Sequence, residues 1–171
     1  MIKKTRDLAL LAIFMALNIV LESIYIPLGN NLNIYFTFFI TMLVATLFEY
    51  PIVAIYAIVE DLLGFFLFPH GSFFPGYTLT ALVGLTIYYI GLHNKEITYP
   101  RVLLTKLTTN ILANILLNSL WSAILFSKGY YYYLARSFFK NIILCPLEAL
   151  LFYLFYKALK PLLDKQITAK K

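Results

Sequence analysis

Long apolar stretches separated by short polar breaks dominate the hydrophobicity pattern of this chain. A helix that crosses a bilayer needs about 20 predominantly apolar residues. Six stretches approach or exceed that length: residues 7–24, 34–49, 51–68, 76–92, 101–127 and 133–160. Residues 25–33, rich in Asn with one Pro and one Gly, are predicted to form a loop, as are residues 93–98 and 128–129. The pattern therefore predicts six transmembrane helices.

Composition indicates a membrane protein rather than a soluble one. Of the 171 residues, 61% are hydrophobic and 13% are charged, whereas soluble domains carry roughly 25% charged residues. The mean hydropathy is +0.80. We predict an all-α integral membrane protein in which residues 1–171 form a single six-helix domain. The first stretch lacks a small-residue cleavage site and is expected to be a retained span.

Lysine and arginine are distributed unevenly between the two ends of the predicted helices. If both termini are cytoplasmic, eleven of these cations lie in the cytoplasmic half and three in the outer half, namely Lys128, Arg136 and Lys140. Cations favour the cytoplasmic side of membrane proteins, and two termini on one side require an even number of spans. The bias predicts six helices with cytoplasmic termini. It also accounts for the net charge of +6 without a nucleic-acid partner.

Two of the outer cations point to a binding site on the sixth helix. Arg136 and Lys140 are four residues apart, so they lie about 40° apart on one helical face. A charge at membrane depth is costly and usually faces a polar interior or a cavity. Together with Asn141, the pair predicts a ligand contact. For Arg136 alone, extension of the side chain to the outer membrane surface is an equal alternative.

A stripe of polar side chains runs along the fifth predicted helix. Its members are spaced by four, four and three residues and share one helical face: Asn110, Asn114, Asn118 and Trp121. Amides that face lipid would remain unpaired, so the stripe must face protein or a cavity. Asn110 and Asn114 are equally well explained by hydrogen bonds between helices. Asn118 and Trp121, at the level of Arg136, are predicted to contact ligand.

Acidic residues also occur at membrane depth. Asp61 lies about ten residues into the third helix, which places it about 15 Å from the membrane surface. An ionised carboxylate there needs a cation of the sixth helix or a donor group of a ligand. A structural ion pair is the ordinary explanation for Asp61 and equally for Glu22 and Glu148. Glu60 points about 100° away from Asp61 and is not expected to share its role.

Motifs for catalysis and for energy conversion are absent from the sequence. It contains no His-Glu-x-x-His, no glycine-rich Lys-Ser/Thr loop and no Gly-x-Ser-x-Gly. His70 and His93 fall in loops predicted on opposite sides, and the single Cys145 excludes a disulfide within the chain. We expect no catalytic residue, no metal and no cofactor, and we expect any transport to be energised by another chain.

Several of these motifs together resemble a known family. The first helix carries Ala-x-x-x-Ala at Ala12 and Ala16, and the sixth carries Arg-x-x-x-Lys-Asn at 136–141. Between them stand Asp-Leu-Leu-Gly at 61–64, Phe-Phe-Pro-Gly-Tyr-Thr-Leu-Thr at 73–80 and Leu-Asn-Ser-Leu-Trp at 117–121. The chain resembles the substrate-binding (S) components of energy-coupling factor (ECF) vitamin transporters, and among them the folate-specific branch. It departs from that family at Ser119, where Thr is expected, and at the turn 48–51, which lacks a glycine.

The resemblance implies an S-component fold and a high-affinity vitamin receptor in the bacterial cytoplasmic membrane. Such a receptor pairs with a membrane-embedded coupling protein (T component) and two cytoplasmic ATPases, and it delivers substrate by toppling in the bilayer. The family likeness places the coupling-protein contact at Ala12 and Ala16. The resemblance also implies an outward-opening pocket, and the matching positions are Tyr77, Thr78, Asn118, Trp121, Arg136, Lys140 and Asn141. From the residues themselves we add Asp61 and Phe74.

The chemistry of these residues favours folate among the vitamins. Folate has two carboxylates, which suit two cations, and flat rings, which suit the aromatic side chains of Phe73, Phe74, Tyr77 and Trp121. Asp61 or an Asn is suited to accept hydrogen bonds from the amino and ring N–H groups of the pterin. A thiamine site would want acids in place of the cations, and a riboflavin site would need neither. An S component for riboflavin, thiamine or pantothenate is the alternative within the family, and an intramembrane enzyme is the alternative outside it.

Overall fold

The computed structural model describes residues 5–27, 33–68, 73–126 and 128–168, and each predicted apolar stretch is represented there by helix. Residues 28–32, in the middle of the first predicted loop, and His70 lie outside the described residues. The elements are α1 (Thr5–Ser23), β1 (Tyr25–Pro27), β2 (Asn33–Tyr35), α2 (Phe38–Leu47), α3 (Tyr50–Leu67), α4 (Pro75–Leu92), α5 (Tyr99–Thr109), a π-helical segment (Asn110–Leu117), α6 (Asn118–Leu125) and α7 (Tyr130–Thr168).

The prediction of a helical membrane protein is confirmed in its general form. Three described helical spans are long and apolar enough to cross a membrane, namely Tyr50–Leu67, Tyr99–Leu125 and Tyr130–Pro161. Large apolar side chains such as Phe66, Ile90 and Ile143 are exposed on the outside of the bundle, as expected for contact with lipid. Six spans and cytoplasmic termini remain predictions.

The first loop contains a short hairpin, which composition did not predict. The strands β1 and β2 pair antiparallel, with Tyr25 opposite Tyr35 and Ile26 opposite Ile34. The two tyrosine rings lie 5.7 Å apart between centroids. Aromatic and β-branched residues facing each other across two strands stabilise such a pair. The Asn, Gly and Pro content of residues 25–33 led to the prediction of a loop, which did not take account of the strand-forming residues at its two ends.

Proline defines the start of three helices. Pro51, Pro75 and Pro100 each occupy the first turn of their helix, and each of these helices begins after a residue in extended conformation. Proline is favoured there because its missing N–H would have no partner within the helix, and its ring already has a helical φ angle. The starts of α3, α4 and α5 are therefore encoded locally.

The packed core lies around α2 and α4. The middle of α2 is almost completely buried, with Met42 and Val44 at 0% exposure. Helix α4 packs against α2, α3 and α5. At Gly91 it comes so close to α5 that a Cβ atom would overlap the side chain of Thr105. This close approach of two backbones fixes α4 against α5 and positions the wall of the cavity described next.

Candidate ligand-binding site

A cavity of about 1090 Å³ lies among the helices and beside the hairpin. Small-molecule sites commonly enclose about 300–1,000 Å³, so this cavity is large enough for a sizeable organic ligand. Side chains from each of the seven α-helices, from the π segment and from both strands line it. Its surface has an aromatic wall, an acidic wall, an amide-rich wall with one lysine, and a buried ion pair.

The aromatic wall is built where α4 begins. Phe74 and Tyr77 line the cavity, and their rings lie edge to face at 6.2 Å. Trp121 packs behind Phe74 at 5.6 Å, outside the cavity lining, and its Nε1 donates a hydrogen bond of 2.9 Å to Thr80 Oγ1. The structure therefore brings the predicted Phe74, Tyr77 and Trp121 together, with the indole supporting the ring wall.

Gly76 allows this ring packing, because a Cβ atom there would overlap the rings of Phe74 and Trp121. We expect Gly76→Ala to reduce the free energy of unfolding by about 1–3 kcal/mol, the usual cost of overpacking. Thermal unfolding of the purified protein in detergent measures this change. Gly129→Ala is the control, because no atom lies within 4 Å of a Cβ at Gly129. Equal stability of the two variants would contradict the proposed packing.

The acidic wall consists of three carboxylates, Glu22 on α1 and Glu60 and Asp61 on α3. Asp61 Oδ2 accepts a hydrogen bond of 2.6 Å from Thr78 Oγ1. The partner that the structure provides for Asp61 is thus a hydroxyl group. The predicted site residue Thr78 does not line the cavity itself; it holds Asp61, which does. Within the described residues, no group of three or more His, Cys, Asp or Glu side chains is arranged to hold a metal ion.

Glu60 contradicts the expectation that it would not share the role of Asp61. Glu60 also lines the cavity, and its Oε1 accepts a hydrogen bond of 2.7 Å from Asn18 Nδ2. The prediction assumed that neighbouring helical positions face different surroundings. Because the cavity is wide, both side chains face it, although they leave the helix about 100° apart.

The opposite wall carries amides and Lys140. Asn110 Nδ2 donates a hydrogen bond of 3.1 Å to the Asn141 carbonyl oxygen, and Asn114 Nδ2 donates one of 2.8 Å to Asn110 Oδ1. The explanation of Asn110 as a link between helices is therefore confirmed. Asn141 and Asn118 line the cavity. In the part of the chain that the structure describes, Asn118 Oδ1 is buried without a hydrogen-bond partner, which leaves it available to a ligand.

Arg136 and Lys140 do not share one environment. Lys140 lines the cavity, whereas Arg136, one turn earlier on α7, is half-buried and lies outside the lining. Before it, Lys128 contacts Tyr132, with Nζ 3.2 Å from the hydroxyl oxygen and 4.3 Å from the ring centroid. Direct ligand contact by Arg136 and extension of its side chain toward the membrane surface both remain predictions.

An ion pair that the sequence analysis missed lies in the cavity wall. Lys106 Nζ lies 2.9 Å from Glu148 Oε2, and both side chains line the cavity. An ion pair was the predicted explanation for Glu148, but Lys106 was counted only as one of the cytoplasmic cations. A signal was present, because Lys106 precedes Asn110 by four residues and extends the same polar stripe.

The predicted coupling-protein contact lies elsewhere on the molecule. Ala12 and Ala16 are exposed on α1, on a face different from that of the buried Phe14 and Asn18. Exposure of two small residues one turn apart permits close approach of another helix. Their role in docking remains a prediction.

The fold and the cavity together define a helical membrane protein built around a binding site of small-molecule size. No protein-family profile matches the chain. Among curated proteins, it is 36% identical over 94 residues to the folate transporter FolT of Clostridium novyi, and this alignment covers 55% of each chain. It is 28% identical over 150 residues to the folate transporter FolT of Leuconostoc mesenteroides, which covers 84% of this chain and 80% of the relative.

A solved structure extends these similarities to the fold. The crystal structure of FolT bound with folic acid matches with a TM-score of 0.81 and 29% sequence identity, covering 92% of this chain and 95% of that one. The chain spans about half the length of the Clostridium relative and most of the other two. The resemblance to folate-specific S components of ECF transporters is confirmed by these matches. Both curated relatives are named transporters, which agrees with the predicted non-enzymatic role.

Proposed function

We propose that this chain is the folate-binding subunit of an ECF transporter, which captures folate outside the cell and delivers it inward. The observation that carries the proposal is the match along 92% of the chain to a FolT structure with folic acid bound. The cavity supports it, because a volume of about 1090 Å³ accommodates a ligand with a ring system and a carboxylate-bearing tail.

The walls of the cavity suit the separate parts of folate. Phe74 and Tyr77 offer ring faces and edges for stacking on flat rings. Lys140 is the predicted partner of a ligand carboxylate, and Asn118 and Asn141 add polar contacts beside it. Trp121, Thr78 and Arg136 remain in the proposed site as supporting residues. Asp61 accepts hydrogen bonds from N–H groups of the ligand, while Thr78 Oγ1 donates a hydrogen bond to Asp61 Oδ2.

Delivery into the cell requires partners, because the sequence carries no motif for ATP hydrolysis. We place a T component against Ala12 and Ala16 on the exposed face of α1 and two ATPases beneath it. The proposed location is the bacterial cytoplasmic membrane, crossed six times with both termini inside. The excess of cations in the cytoplasmic half supports this orientation.

One observation favours a second candidate, an S component for a cationic vitamin such as thiamine. Three carboxylates, Glu22, Glu60 and Asp61, line one wall of the cavity. Such a wall attracts a positively charged ring more directly than it attracts a dianion. The presence of Lys140 on the facing wall and the similarity to FolT proteins make folate the first candidate.

Titration of the purified protein with folate tests the proposal. Trp121 is the only tryptophan of the chain and packs against the cavity wall, so its fluorescence is expected to change on ligand binding. We expect saturation in the nanomolar range and competition by neither thiamine, riboflavin nor pantothenate. Calorimetry with Trp121→Phe is the control, since this variant loses the optical signal. Binding of thiamine without binding of folate would overturn the proposal in favour of the second candidate.

A further inference from the structure

The charged groups of the cavity lining do not balance one another. Among the described residues that line the cavity, four carry a carboxylate and two carry an ammonium group, a formal excess of two negative charges. The ion pair between Lys106 and Glu148 uses one group of each kind. Lys140 is then the one described cation of the lining that remains to balance the three carboxylates of the acidic wall.

A ligand with two carboxylates increases this imbalance. With folate bound, the formal excess in the cavity rises to four negative charges, two from the lining and two from the ligand. Charges of the same sign repel strongly where little water separates them, and a buried group without a counter-charge tends to become neutral. Binding of a dianion is therefore expected to be accompanied by uptake of positive charge at the acidic wall.

Glu22 is the carboxylate of the acidic wall that has the fewest donors around it. In the part of the chain that the structure describes, Glu22 Oε2 is buried without a hydrogen-bond partner. Its carboxyl group lies against the backbone of α3 at Gly64, where a Cβ atom would overlap it. The other two carboxylates of the wall each accept a hydrogen bond from a neutral side chain. Protonation therefore removes the least well compensated charge when it occurs at Glu22.

A second acceptor on the same helix also lacks a donor. Asn18, one turn before Glu22 on α1, is 0% exposed, and its Oδ1 has no hydrogen-bond partner among the described residues. Its Nδ2 donates to Glu60 Oε1 at 2.7 Å, so the amide is held at the acidic wall. Buried acceptors are almost always paired. A protonated Glu22 supplies an O–H donor at this end of the wall, whereas the ionised form supplies only further acceptors.

The other titratable and charged groups in the described lining cannot gain a proton. Apart from the carboxylates they are two lysines and four tyrosines: Lys106, Lys140, Tyr25, Tyr35, Tyr77 and Tyr88. A lysine ammonium already carries its proton, and a phenol can only lose one. Helix α2, which also packs against α1, contains no titratable residue. Carboxylates are therefore the acceptors of any proton that enters the cavity with a ligand.

From these contacts we propose that Glu22 is a proton-binding site that is filled when the dianionic ligand binds. One proton passes from the solvent to Glu22 Oε2, where an O–H bond forms and the carboxylate becomes a neutral acid, while the carboxylates of the ligand stay ionised. The acidic wall and a dianion are then compatible in one cavity. This inference rests on the proposed function and deepens it, because it makes the capture of folate depend on protons.

Calorimetric titration of the unmodified protein with folate counts the protons taken up. When buffers of different ionisation enthalpy are compared at one pH, the slope of the observed binding enthalpy against that quantity gives their number. We expect a slope of about one proton. Because lower pH then favours the complex, affinity is expected to fall by up to about tenfold per pH unit between about pH 6 and pH 8, where the carboxylates of the ligand are ionised. A slope of zero would overturn the proposal.

Glu22→Gln tests the assignment of the proton to this residue. Glutamine is neutral at every pH and has nearly the shape of the protonated acid. The variant is therefore expected to bind folate without proton uptake, with equal affinity at both pH values and at least as tightly as the unmodified protein at the higher one. Glu96→Gln, at an exposed carboxylate outside the lining, is the control and is expected to retain the uptake. Full proton uptake by Glu22→Gln would overturn the assignment.

The remaining outcomes separate this inference from the proposed function. If the unmodified protein binds no folate, the proposed function fails and the proton linkage with it. If folate binds without proton uptake, only the linkage fails. The buffer series needs no variant, so it tests the linkage even where Glu22→Gln does not fold. Replacing sodium with choline at constant ionic strength is expected to leave the affinity unchanged, and a loss of affinity would assign the added positive charge to a sodium ion instead of a proton.

Discussion

Replacing Lys106 with Met is expected to lower the free energy of unfolding by about 3–5 kcal/mol, because it leaves the buried carboxylate of Glu148 without its cation. The two groups are 2.9 Å apart, and their side chains are 6% and 13% exposed. Water screens the lost interaction little at such burial. Unfolding of the purified protein, followed by the fluorescence of Trp121, measures the change.

The matching double replacement distinguishes a broken pair from lost packing. In Lys106→Met combined with Glu148→Leu, apolar side chains replace both charges, and most of the lost stability is expected to return. Lys157→Met, at an exposed position of α7, is the control and is expected to change stability by less than about 0.5 kcal/mol. If the double variant is less stable than the single one, the pair does not act as a unit.

The helical architecture was predictable because its causes are local. Each apolar stretch is recognisable from its own residues, and Pro51, Pro75 and Pro100 encode the starts of three helices. The aromatic wall was predictable for the same reason, since Phe74 and Tyr77 are only three residues apart. Neighbours in sequence at a helix start remain neighbours in the fold.

The environment of Lys106 was not predictable by counting cations, since that count treats every lysine as a surface group. Its ion-pair partner, Glu148, belongs to another helix. A similar limit applies to Asp61, whose partner Thr78 lies on α4. Contacts between distant segments decide whether a polar residue faces ligand or supports a residue that does.

The π-helical segment shows a second limit of periodicity. The asparagine spacing was interpreted on an α-helix, but Asn110–Leu117 forms bonds of the i→i+5 type. A wider turn changes the angle between residues four apart, so the stripe is not a straight line along one face. Such segments are rare and frequently occur at functional sites. Here the segment carries Ala113 and Asn114 to the cavity surface.

Lys140→Ala is expected to weaken folate binding by about 2–5 kcal/mol, which is roughly a thirtyfold to several-thousandfold loss, because a ligand carboxylate would remain buried without its cation. Arg136→Ala is expected to cost less than about 1 kcal/mol, because Arg136 is outside the cavity lining. Equilibrium titration of both variants with folate measures the two effects. The sequence pattern predicted ligand contact for both cations, whereas only Lys140 lines the cavity. The difference in affinity between the two variants therefore tests whether the cavity lining identifies the cation that contacts the ligand.

Kinetics sharpen the comparison between these two cations. A cation at the rim of a site mainly changes the association rate and its dependence on salt, whereas one that contacts the buried ligand changes the dissociation rate. Arg136→Ala is therefore expected to slow association at low salt, and Lys140→Ala to speed dissociation at any salt concentration. Lys157→Ala, at an exposed position further along α7, is the control for a general change in charge. Faster dissociation in Arg136→Ala than in Lys140→Ala would assign the ligand carboxylate to Arg136 and reverse the order of the two residues in the site.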